Sequence, residues 1–318
     1  MTARIPVFRR GSRPLARSFG FVVAICFAVW LVFSYFIAYG FVHPVKLPAW
    51  ETPSDYQMPG EDVSFASDED DHLSLRGWFV PAEGTPRGVL VLCHGRQGTR
   101  ADMLRHAQYL RQAGFSCLTF SFRACGDSPG TMSTIGWREV GDALGAVRYL
   151  KSRPDTRNLP LGIYGSSMGA AVAIQAGAKS PLIRAVAADS SYTYLDRAID
   201  QRFRGLMGGA GPLFAIPVGF FGERMTGMHA HDISPLVVVG KIAPRPLFLI
   251  HGKSDILIRY QDSEELYRAA GQPKTLWLVP GAAHVQNFTL HPDEYRSRLR
   301  DFFVRALCPT KPQSKAIP

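Results

Sequence analysis

Ser167, Asp255 and His284 lie far apart along the chain, and their types and settings suit one chemistry. Ser167 is the centre of "GSSMG", Gly165 to Gly169, a G-x-S-x-G pattern between the apolar "LGIY" and the small-residue run "GAAVAIQAGA". That spacing suits a serine on a strained strand-to-helix turn, where flanking side chains would collide with neighbouring backbone. Ser166 is out of register with the two glycines. A serine hydroxyl is a weak nucleophile at neutral pH, so it needs a base, and the base needs an acid to orient it. His284 stands in "PGAAHVQNF" after "TLWLV", and Asp255 in "HGKSDILI" after "PLFLI". Singly, Asp255 reads as a turn or helix cap and His284 as a surface histidine. Together, in the order Ser167, Asp255, His284 and each beyond its own apolar run, they fit acyl transfer through a covalent intermediate. Asp189, after "IRAVAA", is a rival acid, and His291 in "LHPDEY" belongs to the start of the last helix.

Acyl transfer also needs backbone donors for a developing oxyanion. "CHGRQG" follows the apolar "GVLVLC", and the N–H groups of Arg96 and of Met168, the residue after the nucleophile, are the expected pair. The Arg96 side chain reads as exposed in its loop, with contact to an anionic substrate as the other reading; His94 reads as structural.

These loops must be positioned by a sheet. "DVSFAS" and "LSLRGWFVP" alternate like two strands joined by "DEDDH", whose charges read as a solvated loop. After them, six short unbroken apolar runs ("GVLVLC", "FSCLTFSF", "LGIY", "IRAVAA", "PLFLI", "TLWLV") alternate with helix-like stretches such as "GWREVGDALGAVRYLKS" and "DEYRSRLRDFFVRAL". Strands buried on both faces and separated by helices imply an α/β fold with a mostly parallel sheet covered on both sides. In such a sheet the chemistry sits at the carboxyl ends of the strands, where the three residues fall.

The chain has 318 residues, 46% of them hydrophobic, enough for one substantial core. Of the net charge of +10, Arg4, Arg9, Arg10, Arg13 and Arg17 supply five before residue 20, with no acid among them. From Ser18 to Val42 no side chain is charged, and at about 1.5 Å per residue this stretch spans a hydrocarbon core of about 30 Å. The expectation is an uncleaved transmembrane helix over 18–42 behind a basic cytoplasmic arm over 1–17, with the rest of the chain on the outer side. Tyr35, Tyr39 and Trp50 would lie near the outer interface, and Lys46 is the nearby basic residue beyond the span. This placement argues against the arm as a nucleic-acid tail. Pro44, Pro48, Pro53 and Pro59 make 43–60 an extended linker separating anchor from domain. Cys26, Cys93, Cys117, Cys125 and Cys308 show no C-x-x-C spacing, and Cys93 and Cys117 read as small buried apolar residues. "HAH", His229 to His231, lacks a third ligand and reads as surface, so neither metal nor cofactor is expected.

With "LRGWFVP", "LCHGRQG", "FRACGDSPG", "GSSMG", "ISPL…KIAPRPLFLIHGKSD" and "PGAAH", the chain resembles the α/β-hydrolase superfamily over residues 61–307, and more narrowly its membrane-anchored, serine-aminopeptidase-like and dienelactone-hydrolase-like branch of esterases and thioesterases. The resemblance implies a serine hydrolase acting on carboxylic esters or thioesters, with a small-molecule or lipid-like acyl substrate. Peptidase activity does not follow from the branch name. Acyl transfer to another acceptor would use the same residues, and an anchored interaction protein could keep the fold without turnover. Relatives in the branch usually carry R-G-x-G-x-S where this chain has Arg123, Ala124, Cys125, Gly126, Asp127 and Ser128. Residues 191–233 contain the uncharged "GLMGGAGPLFAIPVGFFG" and read as an acyl-binding lid or a bilayer contact. Pro212, Pro217 and the glycines argue against a second spanning helix. Residues 308–318 form a C-terminal tail.

Overall fold

The computed structural model of the chain describes residues 13–69 and 71–308, with side chains from residue 18 onward. Most of the basic arm, Asp70 of the acidic turn, and the tail beyond Cys308 lie outside the described residues. The first two strands, β1 (Glu61–Ala66) and β2 (Ser74–Val80), form the expected antiparallel pair. Val63 and Phe65 of β1 point into the core while their neighbours face out, the alternation of an edge strand with one face covered. The strands β3 (Gly88–Cys93), β4 (Phe115–Phe120), β5 (Leu161–Ser166) and β7 (Leu247–Gly252) are buried along their whole length, β6 (Ile183–Asp189) all but so, and β8 (Lys274–Val279) closes the far edge. The order is β1-β2-β4-β3-β5-β6-β7-β8, with β2 antiparallel to its neighbours and the remaining pairs parallel. This register aligns the strand ends: Cys93 faces Gly165, Ser166 faces Asp189, and Gly252 faces Val279.

The helices, in chain order, are α1 (Arg13–Val42), α2 (Leu104–Gln112), α3 (Glu139–Ser152), α4 (Met168–Lys179), α5 (Leu195–Met207), α6 (Gly211–Thr226), α7 (Pro235–Val238), α8 (Tyr260–Ala269), α9 (Asn287–Leu290) and α10 (Pro292–Leu307). On one side of the sheet α3, α4 and α8 bury Val147, Ile174 and Leu266; on the other α2 and α10 bury Leu110, Leu299 and Phe303. Both faces of the central strands are therefore dry, which is why they read as unbroken apolar runs.

The acidic turn is more than a solvated loop. Beyond β4, Arg123 is buried, and its Nη2 lies 2.7 Å from Asp142 Oδ1 of α3 and 3.0 Å from Ser67 Oγ. Its Nη1 reaches Asp71 Oδ2 of the turn at 2.9 Å, and Asp68 pairs with Arg148. A buried ion pair gains little over an apolar isostere, but removing one partner strands the other. Arg123→Met is expected to cost about 3–5 kcal/mol, because Asp142 then keeps a buried charge without its counter-ion. Thermal unfolding of the purified variant reads this, and an unshifted midpoint would refute it. Next to it, Ala124 adopts φ +58°, a backbone region that favours glycine, which accounts for the glycine of the related motif.

Two expectations are corrected here. The chain after residue 42 does not hold the apolar helix away from the domain: Val42 O accepts from Ser133 N at 2.8 Å, and Lys46 Nζ donates to Ser128 O at 2.7 Å. The C-terminal half of α1 packs on α6, with Phe33 against Phe214 and Tyr35 against Phe221. Second, Pro217 does not break the chain: it lies inside α6, while Pro212 occupies the first turn, where no N–H donor is needed. The interruption falls at Gly208–Ala210, so Leu195–Thr226, long and apolar enough overall to cross a membrane, is two helices, and α5 carries the charges Asp196, Arg197, Asp200, Arg202 and Arg204. On α6, Leu213 (61% exposed), Ile216 (73%) and Phe220 (57%) share one outward face at i, i+3 and i+7. The stretch Arg17–Val42 of α1 is likewise long and apolar enough to cross a membrane.

Candidate active site

β5 ends at Ser166 and α4 begins at Met168, so Ser167 alone makes the turn, at φ 54° and ψ −121°. A side chain at Gly165 would strike the carbonyl of Gly169, and one at Gly169 would strike the carbonyls of Cys93 and His94. The two glycines thus let β3, β5 and α4 close around a serine held in a backbone conformation that costs about 1–3 kcal/mol.

The structure brings the three sequence-distant residues into one hydrogen-bonded chain. His284 Nδ1 is 2.7 Å from Asp255 Oδ2, and His284 Nε2 is 2.9 Å from Ser167 Oγ. A carboxylate only accepts, so Nδ1 carries the proton and Nε2 is left to accept from the serine hydroxyl. Asp255 Oδ1 accepts from the Leu257 and Ile258 N–H groups at 2.9 and 3.0 Å. Burial alone would raise the Asp255 pKa, but hydrogen bonds from His251 and His284 override it and hold the group well below the usual carboxylate range. His251 was not singled out in the sequence. It is buried in "HGKSD" with Nε2 3.2 Å from Asp255 Oδ2, the oxygen that His284 also contacts, and Nδ1 2.7 Å from Ser263 Oγ.

The loop after β3 comes up against the serine: a Cβ on Gly95 would lie 3.4 Å from Ser167 Cβ. Met168 opens α4, so its N–H has no carbonyl one turn back to bond, and it lines the same hollow as Arg96, Ser167 and His284. His94 is structural: its Nδ1 donates to Gly95 O at 2.6 Å, its Nε2 accepts from Phe122 N at 3.0 Å, and burial lowers its pKa. The Arg96 side chain, expected to be exposed, is instead half-buried over the ring of Phe41 from α1, 4.6 Å from its centroid. Leu195, Ile199 and Arg202 of α5 form the opposite wall. Phe41 and Arg202 carry no local signal, one lying in an apolar run and the other on a charged helix, so only packing assigns them to the site.

The rival Asp189 adjoins the turn, its backbone carbonyl accepting from Ser167 N at 2.8 Å, but its carboxylate is engaged away from His284. It is buried at the end of β6, accepting from Tyr295 Oη at 2.7 Å, Asn287 Nδ2 at 2.6 Å and Ser190 Oγ at 2.8 Å. Tyr295 Oη is 2.8 Å from Tyr164 Oη, which is 3.3 Å from His106 Nε2. Burial pushes the His106 pKa down to about 4, against 6.5 for the free side chain. The unfolded chain therefore binds this proton at a higher pH than the folded one, so His106 contributes a loss of stability as pH falls from about 6.5 to about 4, near 1.4 kcal/mol per unit. Asp189, whose pKa burial raises, works in the opposite sense. The difference in unfolding free energy between the wild type and His106→Gln isolates the histidine, and should narrow across that window by an amount urea titrations at each pH can read.

His229 and His231 are exposed beside Glu223 and Asp196, and the described residues contain no cluster able to hold a metal ion. Cys93 and Cys117 are buried, with thiol pKa values raised by burial.

A family model described as serine aminopeptidase, S33, matches residues 84–210. The chain is 29% identical over 256 residues to YfhR of Escherichia coli strain K12, covering 78% of this chain and 82% of that protein. It is 30% identical over 231 residues to YqkD of Bacillus subtilis strain 168, covering 72% and 74%. Among solved structures, the Pyrococcus furiosus esterase Pf2001 is similar with a TM-score of 0.70 and 28% identity, covering 84% of this chain and 98% of that one.

Proposed function

Because the chain belongs to the α/β-hydrolase superfamily, we propose that it is a membrane-anchored serine hydrolase cleaving carboxylic esters or thioesters through an acyl-enzyme. The observation that carries this reading is the contact sequence Ser167 Oγ, His284 Nε2, His284 Nδ1, Asp255 Oδ2 at 2.9 and 2.7 Å, on a turn that presents the serine to an apolar hollow.

Ser167 Oγ attacks the carbonyl carbon as its proton passes to His284 Nε2, and the resulting imidazolium is stabilised by Asp255. The negative oxygen of the tetrahedral intermediate accepts from the Arg96 and Met168 N–H groups. Collapse expels the alcohol or thiol, which takes the proton from His284. Water then repeats the cycle on the acyl-enzyme and releases the acid. Every step uses groups the chain supplies, so no cofactor is invoked.

The apolar α1 crosses the bilayer with its arginine-rich N-terminal side in the cytoplasm, which leaves the catalytic domain on the outer face. Protease access to a C-terminal tag in sealed vesicles reads this orientation, and protection in right-side-out vesicles would reverse it. The chemical test is labelling of the full chain by a fluorophosphonate together with hydrolysis of short para-nitrophenyl esters. Labelling that survives Ser167→Ala would end the assignment of the nucleophile.

A further inference from the structure

Several arginines around the fold pair with carboxylates, Arg100 with Asp62, Arg111 with Glu83, Arg153 with Glu61 and Arg197 with Glu265. Two arginines in the catalytic hollow do not. Arg96 and Arg202 both lie over the ring of Phe41, at 4.6 and 5.4 Å from its centroid, beside Ser167 and His284. Among the described residues neither has a carboxylate partner, and Arg96 Nη1 is buried with no hydrogen-bond acceptor. Burial, then the neighbouring charge of Arg202, pushes the Arg96 pKa down to about 10, which still leaves it charged at neutral pH. Glu223, which lines the adjoining hollow with Arg202, accepts from the Ala230 N–H at 2.8 Å and makes no ion pair with Arg202 among the described residues. Two like charges held together, one with a buried unsatisfied donor, are unfavourable unless an anion joins them.

The surroundings of the pair are apolar. A second hollow shares Phe41, Leu195, Ile199 and Arg202 with the catalytic one and runs on between α1, α5 and α6, past Ala38, Phe203 and Val218. Two of the three helices that bound it, α1 and α6, turn exposed apolar faces outward, with Phe33 and Phe36 on one and Ile216 and Phe220 on the other. A chain leaving the site along this hollow thus arrives at surfaces suited to lipid rather than water.

The geometry points to an anionic amphiphile as the substrate: an acyl ester whose phosphate or carboxylate is held by Arg96 and Arg202 and whose apolar chain lies between α1, α5 and α6. This rests on the hydrolase reading above and deepens it. Guanidinium forks match the paired oxygens of either anion, and both lie over the Phe41 ring in the hollow that Ser167 lines.

The test uses the full chain in detergent micelles and two matched pairs of esters. Monodecanoylglycerol and its phosphate monoester place the anion on the leaving-group side; para-nitrophenyl butyrate and para-nitrophenyl hemisuccinate place it on the acyl side. In one pair or the other the anionic ester should be preferred in kcat/KM by about tenfold or more, the scale of a charge-assisted hydrogen bond. Which pair shows the preference tells the two sources apart. Arg202→Gln should bring that ratio close to one, and Arg202→Lys should restore part of it. Parity of both pairs in the wild type, or a preference that survives Arg202→Gln, overturns the inference while leaving ester hydrolysis standing. Binding is read separately on the Ser167→Ala protein by calorimetry with the phosphate lipid: about tenfold weaker binding on adding Arg202→Gln supports the anion site, and equal binding overturns it. Were neither neutral ester turned over and no fluorophosphonate label taken up, the hydrolase reading would fail, and the calorimetry would still decide the anion site.

Discussion

Ser167→Ala is expected to lower kcat for para-nitrophenyl butyrate by about 10⁴–10⁶-fold, the scale seen when a serine nucleophile is removed and only the oxyanion donors and binding remain. The change removes Oγ, the atom 2.9 Å from His284 Nε2, and touches no packing contact of consequence, because the site is only partly covered there. Stability should hardly move in the alanine variant, which must still adopt φ 54°. Ser167→Gly should be equally inactive yet more stable by about 1–2 kcal/mol, since glycine reaches that conformation without strain. The pair of variants separates loss of the nucleophile from loss of the fold. Residual activity within tenfold of wild type in Ser167→Ala would mean that another group performs the attack.

Asp255→Asn carries the second large effect, a fall in kcat of about 10⁴-fold, the order found when a buried aspartate of such a site becomes an amide. The reason lies in the proton on His284. With a carboxylate at 2.7 Å, Nδ1 must carry it and Nε2 is free to accept from Ser167. An amide can donate instead, which favours the opposite tautomer and puts the proton on Nε2, leaving no lone pair there to accept from Ser167. Asp189→Asn is the control. Its carboxylate is bound to Tyr295, Asn287 and Ser190, with no hydrogen bond to His284 among the described residues, so kcat should stay within the same order of magnitude. Equal losses in the two variants would mean that Asp255 does not orient the base. Because the Asp255 pKa is held below the usual carboxylate range, the acid limb of the pH profile should not come from this group in the wild type.

How far each feature was legible follows from the range of the force that makes it. Six strands and the helices between them are readable because covering a sheet on both faces demands continuous apolar runs, and the first two because a half-covered edge demands alternation; both demands are local. The turn at Ser167 is readable because steric exclusion at Gly165 and Gly169 writes itself as two glycines at fixed spacing. His251, four residues before Asp255, is not legible, since a buried histidine next to a strand end has no spacing rule of its own. Pro217 inside α6 is not legible, because an interior proline costs a helix about 3 kcal/mol and the support from α1, with Tyr35 against Phe221, comes from a distant segment.

By itself, then, the sequence determined the strand and helix alternation, the apolar N-terminal helix, and the three loops that carry Ser167, Asp255 and His284, all set by steric and solvation rules acting within a few residues. Only the tertiary structure decided that α1 ends against the domain, that Phe41 lies beneath Arg96 and Arg202, and that Arg123 gathers Asp71 and Asp142. Those contacts join segments tens to more than a hundred residues apart. Which aromatic meets which charge there depends on how whole layers pack, and no short window of residues encodes it.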